Sequence, residues 1–145
     1  MKNFNLAIDG PAGAGKSTIA KRIAKQLGFI YVDTGAMYRA MALYFLRNQI
    51  DASESDRIEE ACKDVNVTIE YKDSEQLVIL NGENVNAFIR TEEVGNMASA
   101  FSVNKAVRIK LVELQQELAR RESVVMDGRD IGTIVLPKAD LKIYL

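Results

Sequence analysis

The sequence predicts a parallel α/β sheet with helices on both faces and a small antiparallel β insertion. Three observations carry this. A short apolar run, Phe4 to Asp9, is followed by a glycine-rich loop and then by Ile19, Ile23 and Leu27, spaced by four as on a helix. A second apolar run, Phe29 to Val32, follows at once and completes the strand–helix–strand unit of a parallel sheet. Between about residues 65 and 90 the period changes to alternation, which fits an antiparallel insertion better than a helix.

The elements follow in order. Gly10-Pro11 closes the first strand, and Gly28 is the expected C-cap of the first helix, where Ala20 and Ala24 sit beside the apolar stripe. Asp33-Thr34-Gly35 opens a helix running to about Asn48, with Met37, Met41, Tyr44 and Phe45 on its apolar side. Ser53 to Lys63 begins Ser-x-x-Asp (Ser53, Asp56) and reads as a short helix with that cap. VNVTIEY alternates from Val65, KDSE turns the chain, and QLVIL leads to Asn81-Gly82. Thr91 can cap a helix over Glu92 to about Phe101, and Val107, Leu111, Leu114 and Leu118 mark another from about Val103 to Arg121. Val124 to Asp127 and Leu141 to Leu145 read as two more strands.

Composition narrows the function classes. The 145 residues are 48% hydrophobic and 27% charged, the balance of one ordinary globular domain. Twenty acids against nineteen bases give a net charge of −1, which disfavours a nucleic-acid binder working through bulk charge. The chain has no histidine, so Ser-His-Asp and Cys-His catalysis and His-ligated metals are excluded within it. One cysteine, Cys62, rules out an internal disulfide framework and most zinc sites. The opening apolar run is too short for a signal peptide, and no segment approaches eighteen consecutive apolar residues. The expected compartment is the cytoplasm, with no nucleic-acid or membrane partner.

The sharpest signal is Gly10-Pro11-Ala12-Gly13-Ala14-Gly15-Lys16-Ser17, a full match to the phosphate-loop pattern G-x-x-x-x-G-K-[ST] between a strand and a helix. Gly10, Gly13 and Gly15 let successive N–H groups point at phosphate oxygens, and the helix start adds the positive end of its dipole. Lys16 supplies a charge for the β- and γ-phosphates, and the Ser17 hydroxyl can ligate Mg²⁺. The fold expected is therefore of the P-loop NTPase type. The Asn-Lys-x-Asp guanine reader of GTPases is not in the sequence.

Further along, Val124 to Met126 ends in Asp127-Gly128-Arg129-Asp130. Asp127 is either a Walker-B acid, holding magnesium directly or through water, or part of an ordinary strand-end turn. In an open α/β sheet ligands gather at the strand carboxyl ends, so Arg39 and Arg129 can converge on a second anion near the phosphate loop.

Taken together, DGPAGAGKS, VDTGAMYRA, IRTEEV, VVMDGRDIGT and the closing LKIYL closely resemble the bacterial cytidylate kinase family, in order and across essentially the whole chain. The resemblance implies transfer of the ATP γ-phosphoryl group to CMP or dCMP, giving ADP and CDP or dCDP in pyrimidine metabolism, with Mg²⁺ accompanying ATP. It implies one domain over residues 1–145 with a monophosphate-binding insertion at about 64–97. ATP would be held by Gly10, Pro11, Ala12, Gly13, Ala14, Gly15, Lys16, Ser17 and Thr18. CMP would be held by Thr34, Tyr38, Arg39, Ser99, Arg108, Arg129 and Asp130. Within that set Arg39 and Arg129 would take the acceptor α-phosphate, and Thr34, Ser99, Arg108 and Asp130 would read the cytosine. Lys16, Arg39 and Arg129 would form the catalytic set, and Ser17 and Asp127 the metal set. Cytosine offers an amino donor at N4 and acceptors at N3 and O2, so Asp130 and the hydroxyls suit N4 while Arg108 suits the acceptors. The stem of Arg108 can equally cover apolar surface, and Ser99 can equally be a plain helix residue.

Two departures stand out. Glu113 and Leu114 occupy places where the family shows an Arg-Arg pair. The family also continues past the strand at Leu145 with a helix, an arginine-rich lid, another strand and a closing helix. The sequence is therefore expected to be a shortened form, binding nucleotides weakly, turning over CMP negligibly and inviting self-association. The other reading is a P-loop module that binds nucleotides without turnover.

Overall fold

A computed structural model describes residues 3–11, 13–73, 75–128 and 130–145. In chain order the elements are β1 (Asn5–Asp9), α1 (Lys16–Leu27), β2 (Ile30–Val32), α2 (Thr34–Arg47), α3 (Ser55–Asp64), β3 (Val67–Lys72), β4 (Glu75–Leu80) and β5 (Glu83–Asn84). There follow α4 (Glu92–Phe101), α5 (Lys105–Arg121), β6 (Val124–Gly128), a π-helical turn over Ile131–Val135, and β7 (Leu141–Tyr144). The chain divides into two compact units, Met1–Thr34 with Gln115–Leu145, and Gly35–Leu114. Among the described residues no helix is long and apolar enough to cross a membrane.

The first unit is built on a four-stranded parallel sheet in the order β2-β6-β1-β7. β1 pairs with β6 from Asn5↔Val124 to Asp9↔Gly128, and with β7 from Leu6↔Leu141 to Asp9↔Tyr144. The strand alternation sorts side chains onto two faces. Leu6, Ile8, Tyr31 and Val125 pack against Ala20 and Ala24 of α1, with Ile23, Phe29 and Ile143 at the margin. Ala7, Val32, Val124 and Met126 on the opposite face are fully buried as well. A parallel sheet needs both faces covered, and this one has that.

Of the apolar stripe on α1, Ile23 packs at the margin of the core. Ile19 and Leu27 are exposed, while Ala20 and Ala24 are the residues facing the core. The small alanine side chains let the helix lie close to the strands, so packing rather than side-chain size chooses the buried face. The helix ends as expected at Gly28, whose φ of 71° is left-handed and whose N–H donates to the Ala24 carbonyl.

In the second unit Met37, Met41 and Phe45 of α2 are fully buried, and the Phe45 ring meets that of Phe101 at 4.4 Å between centroids. The stretch expected to be an antiparallel insertion is one. β3 pairs with β4 from Val67↔Leu80 to Lys72↔Glu75, and β4 pairs with β5. Val67, Ile69, Val78 and Leu80 are its buried positions. Asn81 and Gly82, with φ of 48° and 86°, make the tight turn between β4 and β5 that this residue pair favours. Asn86 extends the pairing with its side chain, accepting from the Val78 N–H and donating to the Gln76 carbonyl, both at 2.8 Å.

Helix starts met the expectations unevenly. The Thr91 hydroxyl accepts from the Val94 N–H at 3.2 Å, as the sequence suggested for α4. For α5 the cap is Asn104, whose Oδ1 accepts from the N–H groups of Ala106 and Val107, so the helix begins two residues later than expected. For α3 the Ser53–Asp56 capping box does not form. The N-cap is Glu54, and the Ser53 hydroxyl and N–H both turn back to the Asp51 carboxylate. Asp51, two residues upstream, offers Ser53 a nearer and charged acceptor.

Candidate functional site

In the first unit β1 ends at Asp9, before the glycine-rich loop, and β6 ends at Gly128, just after Asp127. β1 leaves the sheet at Gly10, where a Cβ would stand 2.7 Å from the carbonyl oxygen of Leu145, so a side chain has no room there. The loop then passes through Gly13 and Gly15, with left-handed φ of 82° and 83°, and enters α1 at Lys16. Gly15 is the N-cap and has no side chain to satisfy the first-turn N–H groups. Those donors and the helix dipole are thus left for an anion. The Lys16 ammonium folds back over the loop and donates to the Pro11 carbonyl at 2.8 Å.

At the end of β6, Asp127 is half-buried. The Tyr31 hydroxyl donates to its Oδ1 at 2.8 Å, and the Thr34 hydroxyl donates to its backbone carbonyl at 3.3 Å. Burial pushes the Asp127 carboxyl above its ordinary value, and Asp33 pushes the same way, against the Tyr31 hydrogen bond and the charge of Lys16. A carboxylate desolvated and crowded by a second acid is one that a cation stabilises. Ser17 and Asp127 present hard oxygen donors, the type that Mg²⁺ takes.

Beyond β6 the chain turns at Asp130, exposed and left-handed at φ 62°, into the π-helical turn. This turn is held by Asp9, whose two carboxylate oxygens accept the Ile131 N–H at 2.7 Å and the Gly132 N–H at 2.8 Å.

The second unit carries the other expected residues. Arg39 on α2 is half-buried, and its guanidinium donates to the Ile89 carbonyl at 3.0 Å. Tyr38, beside it in sequence, has a hydroxyl raised by burial and lowered by the charge of Arg108. Arg108 itself is exposed, as is Ser99. The structure thus associates Tyr38 with Arg108 within this unit, and Thr34 with Asp127 within the first. Arg129 and Ala12 lie outside the described residues.

Sequence reasoning missed Asp9 and Tyr31. Asp9 carried a signal, an acid closing an otherwise apolar strand. Tyr31 sits in a strand whose alternation gives it to the core, so its hydroxyl partner could not be read from the pattern.

A glycine-rich loop joining a parallel strand to a helix, beside an acid at the end of the adjacent strand, defines the P-loop NTPase fold. Within that class the chain belongs to the cytidylate kinase family, whose model matches residues 6–145. It is 54% identical over its whole length to a cytidylate kinase of Caldicellulosiruptor bescii and 53% identical to one of Caldicellulosiruptor saccharolyticus. A cytidylate kinase of Bacillus cereus is 47% identical over 99% of the chain. The chain spans 64% of the length of each of these relatives.

Proposed function

We propose that the chain belongs to a nucleoside monophosphate kinase that moves the γ-phosphoryl group of ATP onto CMP or dCMP. The observation that carries this reading is the phosphate loop entering α1 at Lys16 in a chain of the cytidylate kinase family. The loop N–H groups, Lys16 and Thr18 would hold the ATP phosphates, and Ser17 and Asp127 would hold Mg²⁺, Asp127 directly or through water. The metal, when bound, neutralises charge on the β- and γ-phosphate oxygens. Arg39 and Arg129 would hold the acceptor α-phosphate so that one of its oxygens attacks the γ-phosphorus as the bond to the β,γ-bridging oxygen breaks. The products are ADP and CDP or dCDP. Thr34, Tyr38, Ser99, Arg108 and Asp130 would fix the nucleoside, with Asp130 accepting from the cytosine amino group and Arg108 donating to its ring acceptors.

Arginines around a transferring phosphoryl group are worth about 10³–10⁵ in rate. The arginine-rich lid implied by the family resemblance has no counterpart in the 145 residues, so turnover by these residues alone is proposed to be low. The test is therefore paired. Binding of CMP, dCMP, UMP and AMP is measured by calorimetry with Mg²⁺ and a non-hydrolysable ATP analogue, beside ADP release from ATP with each acceptor. CMP and dCMP should bind more tightly than UMP and AMP. AMP binding as tightly as CMP would overturn the acceptor assignment. Bound nucleotides with no ADP formed would mark these 145 residues as a nucleotide-binding module.

A further inference from the structure

Gly95 is the fourth residue of α4, where glycine destabilises a helix relative to alanine. Nothing in the backbone requires it, because its φ is not among the positive values. Its surroundings do. A Cβ at this position would stand 3.2 Å from both Nη1 and Nη2 of Arg39 and 3.4 Å from Cζ. The flat guanidinium therefore lies against the bare face of the helix, in the space that a side chain at residue 95 would enter. The same guanidinium is held at its Nη1 by the Ile89 carbonyl at 3.0 Å. One contact fixes the fork by a hydrogen bond, and the other fixes it by leaving it a space. A locally unfavourable residue packed against a half-buried arginine is a place where a site's geometry can override helix propensity.

We propose that Gly95 is a positioning residue for Arg39, setting where its guanidinium meets the acceptor phosphate. The inference rests on the reading of Arg39 given under Proposed function and adds the device that places it. A methyl group at residue 95 forces the guanidinium to move by a few tenths of an ångström, against a hydrogen bond that holds it in place. Bidentate recognition of a phosphate depends on that geometry, and small misplacements of a positioned group are costly.

The test is a double-mutant cycle read by calorimetric binding of CMP and of ATP to the 145-residue chain, with melting temperature alongside. Gly95→Ala should weaken CMP binding by about tenfold while leaving ATP binding unchanged, and should raise the melting temperature by about 2 °C through better helix propensity. Arg39→Lys keeps the charge but lacks the planar fork, so in that background Gly95→Ala should weaken CMP binding no further. If Arg39→Lys and Arg39→Ala bind CMP as well as the unaltered chain, or if that chain fails to bind CMP, the reading of Arg39 fails and takes the inference with it. If the Arg39 variants lose CMP binding but Gly95→Ala does not, the inference alone is overturned. It is overturned too if Gly95→Ala weakens CMP equally in both backgrounds, or weakens ATP as much as CMP, because the glycine would then serve the fold rather than the arginine.

Discussion

The carboxylate of Asp9 accepts the backbone N–H of Gly132 at 2.8 Å, across 123 residues of sequence. Its other oxygen takes the Ile131 N–H at 2.7 Å, so the last residue before the phosphate loop also holds the turn that follows Asp130. Gly132 makes the approach possible, since a Cβ there would come within 3.2 Å of Asp9 Oδ2. Asp9→Asn retains one acceptor and turns an amide N–H₂ toward a backbone donor. Leaving a charged hydrogen bond unmade at a part-buried site costs about 1.5–3 kcal/mol, which urea denaturation should register as a lower midpoint. An unchanged midpoint would show that the turn is held by other contacts.

Lys16→Ala should separate binding from stability. Its ammonium is bonded to a carbonyl of its own loop, so the fold loses little while the anion site loses its mobile charge. ATP binding should fall by tenfold or more, on the order of one charge-assisted contact, with a melting temperature within about 2 °C of the parent. A large drop in melting temperature would mean that Lys16 supports the loop itself.

Asp127→Asn tests the strained acid. The raised pKa means that folding favours the protonated carboxyl, so this group's contribution to stability declines as pH rises through its ordinary value of 3.8 and past its folded value. Asparagine keeps an oxygen to accept the Tyr31 hydroxyl and carries no charge near Asp33. The variant should therefore be more stable than the parent at pH 7 and should lose that advantage below pH of about 3, while binding Mg²⁺-ATP less well. Melting curves across pH check the first claim, and magnesium titrations with ATP the second. A variant less stable than the parent at neutral pH contradicts this account of Asp127.

Base selection can be tested at Asp130 without disturbing the backbone. Its φ of 62° is one that asparagine adopts as readily as aspartate. Asp130→Asn should narrow the gap between CMP and UMP, because an amide can donate to the O4 of uracil and a carboxylate cannot. An unchanged CMP/UMP affinity ratio would remove Asp130 from the cytosine-reading set.

Much of this was legible in the sequence because local chemistry and global fold agree there. The phosphate loop is one continuous motif, its glycines demanded by left-handed turns at Gly13 and Gly15 and by the approach of Leu145 at Gly10. The antiparallel insertion announces itself through alternation and Asn81-Gly82. What the sequence concealed depends on partners far along the chain. Neither the Asp9 clamp nor the Tyr31–Asp127 hydrogen bond has a periodicity to betray it, since each joins residues about a hundred positions apart. The Ser53 cap failed for the opposite reason, because a local competitor, Asp51, captured the serine first. Which side of α1 is buried was not legible either, because Ala20 and Ala24 set the close packing, Ile23 lies at the core's margin and the larger Ile19 and Leu27 face outward.

The central proposal is that residues of this chain recognise cytidine monophosphate as the acceptor of a kinase whose phosphate loop enters α1 at Lys16. Its most direct test is calorimetric titration of the 145-residue chain with CMP, UMP and AMP, with Mg²⁺ and a non-hydrolysable ATP analogue present. Charge-assisted hydrogen bonds to the base are worth about 1.5–3 kcal/mol each, so CMP should bind at least about tenfold more tightly than UMP or AMP. Equal affinity for the three, or tighter binding of AMP, would contradict it.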